Sequence, residues 1–144
     1  TPEFERREEV TEEDLKEIRR INAQLKRHRE LLEYLTQKAE TIQAIQPKER
    51  VQTSLVNSGN EAADSAIDVE MEIQREEKLL REMQEEARSK FDGERMSFDE
   101  RRIMHCRYLR CMTWDEIGEE VGYSVRQAIR IHGHVVDRMF KKMS

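Results

Sequence analysis

Between Leu15 and Ile45 apolar residues recur at alternating spacings of three and four. Ile18, Ile21, Leu25, Leu32, Leu35, Ala39 and Ile42 form the seam, and His28 is its single polar member. Such a heptad stripe predicts a helix that buries one side against another helix. Thr11 with Asp14 marks its start, and Pro47 its end, since proline cannot donate to the preceding turn. A second seam, Ala62, Ala66, Val69, Ile73, Glu76, Leu80, Met83 and Ala87, predicts a helix from Asn60 or Glu61 to about Lys90. Gln46 to Gly59, polar and holding a proline and a glycine, is expected to be the loop between them. Folded back antiparallel, the two helices bring His28 opposite Glu76 or within a turn of it. Either the two side chains pair across the seam and fix its register, or each reaches water from the seam's edge. A hairpin of two helices is too narrow to shield its own stripe. The C-terminal helices, a second copy of the chain or a partner protein must cover it, and a homo-oligomer formed through the N-terminal helices is the expectation.

The pattern changes after residue 96. Ser97 or Asp99 can cap a helix running to Leu109 or Arg110, with Ile103, Cys106, Leu109 and Met112 facing inward. Thr113 with Glu116 and Ser124 with Gln127 each show the spacing of a reciprocal capping box, so two further helices begin here. Gly122 sits between them, where a left-handed residue can end a helix at little cost. Trp114, Ile117 and Val121 share one face, and Ala128, Ile131 and Val135 another, so three short helices close around a small core. Val125, Arg126, Ile129 and Arg130, with His134 and Arg138 further along, are left on the open side of the last helix. A helix fits the major groove, arginine can bond guanine in a paired fashion, and a small apolar side chain such as Val125 can meet a thymine methyl group. A plain helical hairpin in a small α domain would carry the same caps and the same turn.

Charge sharpens the picture locally. The chain holds 26 basic and 31 acidic residues, which argues against a general polyanion binder. Residues 95–144 nevertheless hold 10 basic and 7 acidic residues, against 16 and 24 in residues 1–94. From Ser124 onward Arg126, Arg130, Arg138, Lys141 and Lys142 face Asp137 alone. Offsetting the helix dipole accounts for Lys141 and Lys142 but not for Arg126 and Arg130 in the first turns. Base contacts are therefore expected from Arg126 and Arg130, flanked by Val125, Gln127 and Ile129, with His134 beyond them. Phosphate contacts are expected from Thr113, Ser124, Arg138, Lys141 and Lys142.

The stretch RRIMHCRYLRCMTWDEIGEEVGYSVRQAIRIHGHVVDRM resembles the promoter-reading region 4 of bacterial sigma factors over residues 97–140, through its Arg-Tyr, Trp-x-Glu-Ile-Gly and Gly-Tyr-Ser elements. The whole chain is similar to phage-encoded late transcription regulators of the RinA and ArpU type, with ERVQTS, Glu49 to Ser54, between two charged helices. The resemblance implies an all-α fold: a long, coiled-coil-like antiparallel hairpin over 11–90 for assembly or partner contact, then a three-helix, sigma region 4-like helix-turn-helix domain over 97–142. It implies a double-stranded DNA target, a promoter or operator read by the last helix near RNA polymerase, with the positions of Val125, Arg126, Ile129 and Arg130 facing bases. Apolar Val125 and Ile129 stand where sigma factors often carry polar groups, so the target should differ from the standard promoter hexamer. Nothing here resembles the sigma region that melts the promoter, so action as a complete sigma factor is not expected.

Catalysis finds no foothold: there is no phosphate-cradling glycine loop and no nucleophile with a spaced base. Cys106, Cys111, His132 and His134 lack the usual zinc spacings, and Cys106 falls on an apolar face, so a buried thiol is the expectation and no metal or other cofactor is called for. His105 and His132 are expected to be partly exposed or hydrogen-bonded within the fold. Two cysteines without a disulfide framework, no membrane-length apolar run and no signal peptide suit the cytoplasm of a bacterial host cell. Thr1-Pro2-Glu3-Phe4 lacks a methionine and reads as a cloning remnant. Two other functions share these features. One is a small-terminase-like DNA-packaging subunit, and the other a protein-only helical adaptor.

Overall fold

A computed structural model describes residues 9–44 and 53–141, with residues 53–57 described by their backbone alone. Thr1 to Phe4, Pro47, residues 49–52 of the ERVQTS element and Lys142 lie outside the described residues. The described residues contain helices and no strands. Helix α1 is Glu12–Ala44, α2 Thr53–Asp92, α3 Phe98–Met104, α4 Trp114–Val121 and α5 Val125–Phe140. They fall into two compact units. One takes the described residues up to Asn22 and from Leu80 onward, and the other takes Ala23–Leu79.

In the Ala23–Leu79 unit the two expected seams meet. Leu25, Ala39, Ala62 and Ile73 are buried, while Leu32, Leu35, Ile42, Ala66 and Val69 are half-buried. His28 and Glu76 do pair, with Nδ1 2.8 Å from Oε1. Glu76 is buried and so requires a partner, because an unpaired carboxylate there would lose its hydration without replacement. Beside this pair, Arg29 donates to Glu77 at 2.7 Å. The expected loop is shorter than Gln46 to Gly59. Helix α2 starts at Thr53 rather than at Asn60 or Glu61. Gly59 is buried inside it, and a Cβ there would come within 3.0 Å of Ile42 Cγ2. The glycine lets two helices approach closely and does not break one of them.

In the other unit Leu15, Ile18 and Ile21 of α1 and Leu80, Met83, Ala87 and Phe91 of α2 are buried. The C-terminal helices close around Ile103, Cys106, Ile117 and Ala128, with Met112, Trp114, Val121, Tyr123 and Ile131 packed against them. Thr11 with Asp14, Ser97 with Glu100 and Thr113 with Glu116 each form a reciprocal capping box. Ser124 is capped one way only: its Oγ accepts from Gln127 N–H, and no glutamine bond returns to its own amide. Gly122 takes the left-handed conformation at φ 80°, as the turn requires.

The expected α-helix through Leu109 and Arg110 does not run regularly. After Met104 it widens into a π-helical stretch, His105–Leu109, in which Arg110 N–H bonds His105 O. The extra residue in the wide turn rotates the downstream positions, so that Tyr108 is buried and Leu109 only half-buried. Carbonyls in the wide turn and just after it are taken up by side chains distant in sequence. Arg19 donates to Arg107 O and Met112 O, and Gln84 to Tyr108 O and Leu109 O.

Candidate nucleic-acid interface

The first turn of α5 is placed by α4. Gly118 is buried in α4, and a Cβ on it would lie 2.8 Å from Tyr123 O, 3.6 Å from Val125 N and 3.7 Å from Val125 Cγ2. Any larger residue would push α5 off the turn. Tyr123 O–H donates to Asp99 Oδ2 at 2.6 Å, tying the turn to α3. That bond holds the phenol protonated above its ordinary range. Behind α5, Tyr108 O–H donates to His132 Nε2 at 2.7 Å. The imidazole packs edge-on against Trp114 at 5.1 Å between ring centres, and the Arg107 guanidinium lies over the Trp114 ring, 4.2 Å from its centroid. Burial, with help from Arg107 and Arg19, lowers the His132 pKa to about 4, so the ring is neutral and accepts. His105 is likewise shifted down, by burial first. Its Nε2 is buried without a hydrogen-bond partner, and its ring lies 5.9 Å from that of Phe91.

Arginines in this unit divide sharply by what they touch. Arg101 donates to Phe91 O and Glu94 O at the end of α2, and Arg102 donates to Glu120 O at the end of α4. Both satisfy carbonyls that a helix C-terminus leaves open. Arg107 bonds Met112 O, and Arg110 sits 3.5 Å from Glu120. Arg138, expected at a phosphate, instead donates to Glu100 at 2.9 Å and to Arg95 O at 3.2 Å. The bond to Arg138 holds the Glu100 carboxyl below its usual range. Arg138 thus latches α5 to the start of α3.

Arg126 and Arg130 are exposed and have no ion pair or hydrogen bond among the described residues. Between them Gln127 is exposed, and Ile129 keeps 43% of its surface in the open. Val125 is half-buried and His134 exposed on the same helix. Ala128, Val135 and Val136 hold the opposite side in the core. Ser124 and Thr113 are exposed, each with its hydroxyl accepting a cap bond. The start of α5 keeps amides with no helical partner, which suits an approaching anion. Lys141 is exposed and unpaired among the described residues. Arg95, which no pattern in the sequence marks, is exposed too. In contrast, α4 carries Asp115, Glu116, Glu119 and Glu120 and no basic residue. Of these two helices, α5 is therefore the one that carries exposed positive charge.

Among the described residues no three His, Cys, Asp or Glu side chains cluster as metal ligands, and no helix is long and apolar enough to cross a membrane. Cys106 is buried and Cys111 half-buried, both outside any disulfide; burial pushes both thiols up. The chain matches no protein-family model, no curated protein and no solved structure.

Proposed function

We propose that this chain is a sequence-specific, double-stranded-DNA-binding transcription regulator that acts by binding rather than catalysis. Helix α5 enters the major groove, Arg126 and Arg130 bond base edges, and Lys141 contacts phosphate. The observation that carries the reading is the pair of unpartnered guanidinium groups in the first turns of α5, in a unit whose other arginines mostly bond carbonyls and carboxylates. Surface arginine with nothing to bond is stabilised by a ligand that supplies paired acceptors, as guanine does. The sigma region 4-like and RinA/ArpU-like sequence elements support a promoter or operator as the target, a phage or prophage origin and a place near RNA polymerase. The Ala23–Leu79 helices, with Leu31, Tyr34, Ile67 and Met71 exposed, support assembly into a homo-oligomer.

Electrophoretic retardation of duplex DNA at low salt, followed by mapping of bound sites across the source genome, tests this. Discrete sites upstream of transcription units are expected. Absence of retardation for any duplex would instead identify a protein-only adaptor, and a closed ring by mass measurement a packaging subunit.

A further inference from the structure

We infer that α5 selects its target by the C5-methyl groups of two pyrimidines, with Val125 and Ile129 as the selecting residues; this rests on the DNA-binding reading above. Ile129 is one of the few large apolar side chains left open among the described residues, on a helix whose Ala128, Val135 and Val136 are all buried. Exposure of isoleucine among arginines gains nothing from water, and it gains from a methyl group in the groove. Val125 lies one turn earlier, and its Cγ2 backs onto Gly118, which fixes where the other methyl points. Both residues are β-branched and stiff about the first side-chain torsion, so little freedom is lost when they meet a ligand.

Spacing turns this into a pattern. Val125-Arg126 and Ile129-Arg130 are the same apolar–cation couplet repeated four residues apart. Four residues advance a helix by about 6 Å, and two base steps span about 7 Å along a strand. Each couplet can therefore meet one methylated pyrimidine and a nearby guanine, with the two methyl groups about two base pairs apart along the groove. Thymine supplies such a methyl. So does 5-methylcytosine, which carries it at the same position of the ring, and cytosine does not. The interface thereby gains sensitivity to cytosine methylation wherever a cytosine occupies one of the two places.

The test uses the full chain. A randomised duplex pool is enriched by binding, and the selected duplex is resynthesised with deoxyuridine for thymine, or with 5-methylcytosine for cytosine, one position at a time. Affinities are read by fluorescence anisotropy. Two positions about two base pairs apart should respond, each losing roughly fourfold on loss of its methyl, the worth of one buried methyl group. Ile129→Ala should abolish the response at one position and Val125→Ala at the other. Equal affinity for the deoxyuridine duplexes would overturn the methyl reading while leaving DNA binding intact. A response unchanged in both variants would overturn the assignment to these residues. Failure to enrich any sequence would overturn the DNA-binding reading itself, and this inference with it.

Discussion

Arg126 and Arg130 differ from Arg101, Arg102, Arg107 and Arg138 in bonding nothing among the described residues. Arg130→Ala should weaken binding to the preferred duplex by about 1–3 kcal/mol and leave random DNA nearly unaffected. Lys141→Ala should weaken binding to both alike; anisotropy titrations on the two duplexes separate these outcomes. Arg138→Ala should lower the unfolding midpoint more than the affinity, because its partners are Glu100 and Arg95 O. His132 adds a pH signature. Its folded pKa of about 4 lies below the unperturbed 6.5. An unfolded chain therefore takes up the proton first, so native stability is complete above about pH 6.5 and falls as pH drops toward 4. The slope approaches about 1.4 kcal/mol per pH unit for one proton. His105, shifted in the same direction, adds to it. Denaturant melts of His132→Gln should show a shallower slope over that window, and an unchanged slope would refute the assignment.

Four helix starts were legible because capping is local chemistry, with Thr11, Ser97, Thr113 and Ser124 all standing as caps and Gly122 turning the chain as expected, but the start of α2 at Thr53 was not. Both seams were legible from their period, whereas the sequence left open whether His28 and Glu76 pair or each reach water, and the structure pairs them. What escaped depends on contacts far apart in sequence. Nothing between His105 and Leu109 announces a π-helical stretch, some of whose carbonyls are satisfied by Arg19 and Gln84. Gly59 resembles a loop residue until Ile42 is seen against it, and Gly118 an indifferent helix residue until Tyr123 O is. Gly118→Ala should therefore cost about 1–3 kcal/mol through overpacking and weaken DNA binding with it, as urea melts and titrations on one preparation will show. His28→Ala should cost about 1–3 kcal/mol by stranding the buried Glu76 carboxylate. The joint replacement His28→Leu, Glu76→Leu should recover most of that loss.

Over the molecule as a whole, acidic residues dominate the first 94 positions and basic ones the rest. Such a chain should bind DNA through one small surface and be repelled elsewhere, which predicts weak salt dependence. With two to four cations engaged per protomer, the slope of log affinity against log salt should be about −2 to −4. A much steeper slope would mean that cations outside α5 meet the duplex as well. The central claim is that the open side of α5 is the surface that meets a duplex, and an NMR titration of the full chain with its enriched duplex tests it most directly. Amide and guanidinium signals from Ser124 to His134 should shift first and furthest. Shifts confined to α1 and α2, with those of Arg126 and Arg130 unmoved at saturation, would contradict the account.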